Sequence, residues 1–573
     1  MERHQHAESV NLPHERTIPV RIPPLSGPLP GGGEKSKKEC STLNTAERIN
    51  EGKTTLGIEF GSTRIKAVLT DLSGNTLAEG SHTWENSLRN GVWTYSLEEI
   101  HQGLRLCYRS LREDAEKKYG VRLTTVGAIG ISAMMHGYMA FDTDGTLLTP
   151  FQTWRNSNTQ AAADALTELF AFNIPLRWTI AHLYQRILDQ EEHVQKLDFV
   201  TTLDSYIHWK LTGNKVTGIG DASGIFPIDS EKLDYDAGMM EKFDSLIQDK
   251  GYSWKLRGIL PRVLTAGESA GYLTQSGAAM LDESGSLRAG IPMCPPEGDA
   301  GTGMVATNSV APGTGNLSAG TSTFAMLVLE KPLSKPHREI DMVTTPSGFP
   351  VAMAHANNGT SDLNAWVSLF AEFEKLMGHS VDMSELYRKL ELHSLEGSPD
   401  CGGLLTYGYY SGEGITKVNE GRPLFVRMPD SAFTLANFMR VHMYASLAAV
   451  KLGMDILLKE EHVRAERIFG HGGLFTVKGV AQRYLAAAVN TPITVMDTAS
   501  QGGPWGMAIL AAYMLYGKDR GSLEEYLEKN IFAGQTGSTI QPDPEETAGY
   551  EEFARRYKTG LYAEQAAISS MNW

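Results

Sequence analysis

Gly57 to Val68, GIEFGSTRIKAV, ends an apolar strand pattern on a carboxylate, immediately before a glycine-hydroxyl turn and a returning strand. Backbone N–H groups of a tight glycine turn converge on phosphate oxygens, and Ser or Thr hydroxyls add donors. Gly61, Ser62 and Thr63 are therefore a candidate phosphate clamp, with Arg64 beside them as a cation. Glu59 is a candidate magnesium ligand, directly or through water; the alternative is a solvated strand acid. A second strand-turn-strand, Leu317 to Glu330 (LSAGTSTFAMLVLE), offers Gly320, Thr321 and Ser322 in the same way. Around Asp299, GIPMCPPEGDAGTGMVAT reads as an apolar strand, a loop and a glycine-rich helix. Asp299 then lies in the first helical turn, either as an N-cap or as the general base for an attacking hydroxyl, with Glu297 as its rival. His136 follows the apolar strand Val126 to Ala133, and strand carboxyl ends collect ligands in α/β sheets; a buried, satisfied imidazole is the alternative. Gly472 and Gly473 precede one helix, and Gly502, Gly503 and Gly506 another, allowing close approach to a base or ribose, or simple packing turns.

Alternation of Leu56, Ile58 and Phe60, the turn at Gly61 to Thr63, the return at Ile65 to Leu69 and the turn Ser73-Gly74-Asn75 predict an antiparallel meander. A helix over about Leu97 to Lys118 and a crossover to Val126 to Ala133 follow, and Thr159 to Thr212 reads as mainly helical. Recurrence of the clamp hairpin suggests a duplicated architecture with a cleft between halves that meet near Asn308; the alternative, which the hairpins taken alone favour, is coincidence, because Gly-Ser-Thr turns are common. Gly52-Lys53-Thr54 ends like a P-loop, but Glu47 holds the position of the required glycine and the triplet precedes its strand, so it is a decoy.

The chain is 41% hydrophobic and 21% charged, which suits a globular protein with full-sized cores, and its formal charge of −15 repels nucleic acid and anionic membrane. Small molecules or proteins are the expected partners. Cys40, Cys107, Cys294 and Cys401 lie far apart without C-x-x-C, against a disulfide framework, zinc or iron–sulfur and in favour of a reducing cytosol. Apolar runs such as Met507 to Tyr516 fall below the roughly 18 residues of a membrane span. Residues 1–53, with six prolines and Gly31-Gly32-Gly33, read as a disordered tail.

Taken in order, these blocks resemble the FGGY family of carbohydrate kinases, most closely its xylulokinase-like branch, over roughly Thr54 to Tyr516. GIEFGSTRIKAV is similar to the first phosphate motif and LSAGTSTFAML to the second. AMMHGYMAFD resembles the sugar block, TGIGDASGIFPID the Asp-Ala-Ala-Gly segment, EGDAGTGM the block of the catalytic aspartate, and Gly472-Gly473 the adenosine motif. The resemblance implies an α/β fold of two ribonuclease-H-like domains of the actin and hexokinase superfamily around an ATP cleft. It divides the chain into a sugar-binding domain, 54–308, and an ATP-binding domain, 309–573, and it allows a cytoplasmic homodimer. It implies ATP and Mg²⁺ as cofactors, Asp299 as base and sugar contact, Met135 and His136 at the sugar, and a ketopentose or related polyol phosphorylated on a primary hydroxyl. Trp154, with Arg155 and Asn156 in FQTWRNSN, is a further candidate at the sugar. Glu59 stands where the family usually has Asp, Met134 for glutamine, Ala300 for asparagine, and Tyr444, four residues after Arg440, for glutamate. Alternatives are a silent sugar- or nucleotide-sensing protein on the same scaffold, or a sugar-independent actin-like ATPase.

Overall fold

The computed structural model describes residues 45–496 and 502–571. β1 (Thr54–Phe60), β2 (Arg64–Asp71) and β3 (Thr76–Thr83) form the expected antiparallel meander, with Phe60 opposite Ile65 at the turn. Helix α1 (Leu97–Tyr119) starts at Ser96, whose hydroxyl and the Glu99 carboxylate cap each other's amides, and stops at Gly120 in the left-handed region. Its Ile100, Leu104, Cys107 and Leu111 recur at helical spacing and are buried, so the helix lies along the sheet and returns the chain to β4 (Ala128–Ala133). β4 runs parallel to β1, and β5 (Glu297–Gly298) runs parallel to β4. The sheet order is β5-β4-β1-β2-β3.

The second sheet contains β6 (Thr314–Ala319), β7 (Thr323–Val328), β8 (Ile340–Thr344), β9 (Pro350–Ala356), β10 (Arg467–His471), β11 (Ile493–Met496) and β12 (Gly537–Ile540), ordered β8-β9-β7-β6-β10-β11-β12. Its central run repeats the first sheet: antiparallel returns on one side of β6, parallel strands on the other. The duplication expected from the two hairpins is present as topology.

The helices of the two halves include α2 (Ile219–Ile225), α3 (Asp299–Ala306), α4 (Ser361–Leu376), α5 (Leu435–Asp455), α6 (Gly502–Tyr516) and α7 (Pro544–Ser570). The stretch Leu435–Glu460, α5 and its extension, is long and apolar enough to cross a membrane, but 83% of its most apolar window is buried in the protein. It is a core helix of the second half; among the described residues no other helix meets that length and hydropathy.

Two boundaries differ from expectation. Helix α6 follows the second sheet in sequence yet packs on the first: a Cβ at Gly57 of β1 would lie 2.0 Å from the Pro504 carbonyl oxygen, so only glycine admits this contact. The junction near Asn308 therefore marks a change of sheet without dividing the packing. Within the stretch read as a disordered tail, Thr45–Asn50 forms a short helix with Ile49 buried and Arg48 3.2 Å from Asp71. One apolar anchor and one ion pair attach it to the sheet, a local effect that average composition conceals. The remainder of that stretch, 1–44, lies outside the described residues.

Candidate active site

Three neighbouring parallel strands end together. Pairing of Phe60 with Ala133 and of Ala133 with Gly298 puts the Gly61–Arg64 turn, the segment Met134–Gly137 and Asp299 side by side at the carboxyl ends of β1, β4 and β5. Gly298 caps α3 and Asp299 is its first residue. The Asp299 carboxylate accepts a 3.1 Å hydrogen bond from the Met135 amide, which fixes it against the β4 end. It is solvent-accessible yet recessed in protein; burial raises its pKa above the usual carboxylate range, partly offset by the Met135 and Ala300 amides.

Glu297 has the opposite setting. Its side chain is 2% exposed, turned toward Gly218 and Gly220 where any Cβ would collide with it, and burial pushes its pKa up to about 8. It is buried in β5 near the equally buried Asp204 and Asp221.

His136 has φ of 71°, a left-handed conformation that costs a non-glycine residue energy and is held here by its surroundings. Thr179 Oγ1 donates to the Gly137 carbonyl at 2.7 Å, and the imidazole stacks on Trp178 with centroids 6.4 Å apart. Burial, with the Arg177 charge second, holds its pKa well below the ordinary value, so the ring is neutral at pH 7. Its Nδ1 and the Met135 methyl both lie against Gly224 of α2: a Cβ there would be 2.6 Å from Nδ1 and 3.0 Å from the methyl carbon. Gly224→Ala is expected to displace both side chains, weakening about tenfold or more any ligand that they contact while ligands of the second half stay within about twofold, as read by calorimetry. Sequence inspection singled out the segment around Gly224 only by resemblance, because its contact with His136 is long-range.

Glu59 faces Lys66 on β2 and Ser132 on β4. Its pKa is pushed up to about 7 by burial first and the Asp299 charge second, against a lowering effect from Lys66. A Cβ at Gly503 would be 1.5 Å from Glu59 Oε2 and 3.0 Å from Thr302 Oγ1, so the start of α6 is glycine to admit this carboxylate. Gly506 likewise makes room for the Thr302 carbonyl. Of the two readings of these glycines, the packing one describes them. Neither Arg64 nor Lys66 forms an ion pair among the described residues, and no group of three or more His, Cys, Asp or Glu side chains forms a metal cage.

In the second half Gly320, Thr321 and Ser322 make the β6–β7 turn, and Gly472 and Gly473 follow the adjacent parallel strand β10. Gly472, at φ 97°, approaches so closely that a Cβ would be 2.6 Å from the Ala319 carbonyl oxygen. Beside it opens a cavity of about 700 Å³, lined among others by His471, Gly473, Gln482, Met496 and Ser538. Asn358-Gly359-Thr360, unmarked by the sequence reading, cradles the turn: the Gly359 amide donates to the Thr321 carbonyl and the Thr360 amide to the Gly320 carbonyl. An Asn-Gly-Thr triplet before an apolar helix was the available signal. Trp154 is 41% exposed and, among the described residues, makes no hydrogen bond or ring contact with Met135, His136 or Asp299. Met134 is buried in the core of the first half, turned away from its neighbour Met135.

Family models for the N-terminal and C-terminal domains of the FGGY family of carbohydrate kinases match residues 54–305 and 315–515. The chain belongs to the FGGY family. It is a carbohydrate kinase on that ground, and the two matched segments correspond to the family's two domains. It is 21% identical over 526 residues to a xylulose kinase of Haemophilus influenzae, covering 88% of this chain and 99% of that one. It is 23% identical over 548 residues to a ribulokinase of Geobacillus thermodenitrificans, covering 88% and 93%. A ligand-bound xylulose kinase from Lactobacillus acidophilus shares the fold with a TM-score of 0.72 at 17% identity, covering 90% of this chain and 99% of that one.

Tyr444, the residue for which the resemblance leads to an expectation of glutamate, contacts Arg440 in the structure. Its hydroxyl accepts from Arg440 Nε at 3.2 Å and Nη2 at 3.0 Å. The counter-charge of Arg440 is Glu546 of α7, which lies beyond the matched segment.

Proposed function

We propose that this kinase transfers the γ-phosphoryl group of ATP to a primary hydroxyl of a ketopentose or a related small polyol, with Asp299 as general base. The observation that carries the reading is the recessed, solvent-accessible Asp299 carboxylate flanked by Met135 and the Gly61–Arg64 turn at three adjacent strand ends. A hydroxyl held by His136 and Asp299 would give its proton to Asp299 as the oxygen attacks the γ-phosphorus; the O–P bond forms as the bond to the ADP leaving oxygen breaks. The neutral imidazole of His136 suits recognition of an uncharged sugar hydroxyl. The turn at Gly320–Ser322 and the Gly472–Gly473 cavity would hold the phosphates and adenosine of ATP, and closure of the halves would exclude water as a competing nucleophile.

The donor set fits magnesium. The Asp299 charge raises the proton affinity of Glu59 against the lowering effect of Lys66, and an acid so placed beside a phosphate turn suits an ion held by one or two carboxylates plus phosphate oxygens and water. Glu59 would hold it, neutralising charge on the transferring phosphoryl group.

Xylulose, ribulose and other ketoses, polyols and aldonates assayed for coupled ADP release test the reading. Saturable ADP release dependent on a ketopentose or polyol is expected; equal release without any acceptor, or none with every acceptor, contradicts it.

A further inference from the structure

The two phosphate turns solve one problem with different parts. In the β6–β7 turn, each carbonyl is occupied: Gly320 O accepts from the Thr360 amide and hydroxyl, Thr321 O from the Gly359 amide, and Ser322 O from the Gly320 amide. In the β1–β2 turn, each carbonyl is occupied again, but mainly by aromatic residues of the segment that follows β3. Gly61 O accepts from Trp84 Nε1 at 2.7 Å, Ser62 O from the Tyr95 hydroxyl at 2.5 Å, and Thr63 O from the Trp84 amide at 3.2 Å. The amides of Ser62 and Thr63 donate to nothing among the described residues, and neither do those of Thr321 and Ser322. Tying the carbonyls of a tight turn to one side directs its free N–H groups to the other, which is the arrangement that binds anions.

We propose that Trp84 and Tyr95 are positioning residues for the first phosphate turn, doing with an indole N–H and a phenol what Gly359 and Thr360 do for the second with backbone amides. The proposal rests on the reading of Gly61–Arg64 as a phosphate turn. Trp84 and Tyr95 are buried, 8% and 1% exposed, and their rings stack with centroids 3.9 Å apart, so the two donors are held as one unit. Trp93, two residues before Tyr95, is tied to the loop at Thr153: its carbonyl accepts from Thr153 N at 3.2 Å and from Asn156 Nδ2 at 2.8 Å, and its amide donates to Asn156 Oδ1 at 3.0 Å. The loop doing this continues to Gln152, which exchanges backbone hydrogen bonds with Tyr138, two residues beyond His136. The turn and the sugar-side segment thus belong to one hydrogen-bonded frame.

Trp84→Phe and Tyr95→Phe each remove one donor and keep a ring in the stack. The full-length variants are titrated by calorimetry with the β,γ-imido analogue of ATP plus magnesium, and separately with adenosine, which carries no phosphate; Gly61→Ala, whose new Cβ would be 3.0 Å from the Arg64 carbonyl oxygen, serves as direct damage to the turn. Each Phe variant is expected to bind the imido analogue about fivefold or more weakly. Adenosine affinity should be unchanged in all three. Weakening of the analogue by Gly61→Ala alone overturns the proposal. If all three variants bind it like the wild type, the phosphate reading of the turn falls together with the proposal. Equal loss of analogue and adenosine in the Phe variants assigns the aromatic pair to general stability and also overturns it.

Discussion

Asp299→Asn is expected to lower kcat by about 10²–10⁴-fold while binding of the imido analogue of ATP stays within about twofold of wild type. Asparagine keeps the shape and can still accept from the Met135 amide, so the first turn of α3 stays in place; only the ability to take up a proton is removed. The pH profile of the wild type gives a second readout. A base works ionised, and burial raises Asp299, so kcat/KM rises with pH through a value above the usual aspartate range. In its proposed role at magnesium, Glu59, whose pKa is pushed up to about 7, has to lose its proton first, so magnesium-dependent nucleotide binding is expected to weaken as the pH falls below about 7. The two effects are linked because the Asp299 charge helps to raise Glu59. In Asp299→Asn that contribution disappears, and the acid limb of magnesium-dependent nucleotide binding moves to lower pH. A kcat within a few-fold of wild type would remove Asp299 from the proposed role.

The second large effect is on stability. Arg440 is completely buried and its charge is met by Glu546, with the Tyr444 hydroxyl and the Gly397 carbonyl at 2.6 Å completing its hydrogen bonds. Glu546→Ala leaves a buried guanidinium without a counter-ion and is expected to destabilise the second half by about 3–5 kcal/mol, seen as a lower urea midpoint and faster amide exchange in α5 and α7. Adding Tyr444→Glu to that variant returns the acid to α5 four residues after the arginine and is expected to recover a large part of the loss. An urea midpoint for Glu546→Ala equal to wild type would mean that Glu546 is not the effective counter-ion.

Short-range features were legible in the sequence. The two hairpins follow from alternation around glycine turns, and α1 from its cap and apolar spacing, because those signals lie within a few residues. Asp299 could be placed at a helix start for the same reason. What escaped is long-range. Glu546 and Arg440 are 106 residues apart, and Tyr95 reaches a carbonyl 33 residues earlier, so no spacing rule connects them. Gly224 and Gly503 are required by what their missing Cβ atoms would strike, His136 and Glu59 respectively, which becomes visible only when the strand ends are brought together. Glu297 and Asp299 were rivals in sequence because they are two residues apart; folding buries the first within β5 and leaves the second exposed at the start of α3.

Proton-coupled ³¹P NMR of the product made from ATP and the best acceptor of the panel tests the central claim most directly. Transfer to a primary hydroxyl predicts a new phosphomonoester resonance split into a triplet by the two protons of one CH₂ group. A doublet would place the phosphate on a secondary carbon, and inorganic phosphate alone would mean hydrolysis; either result contradicts the proposed reaction.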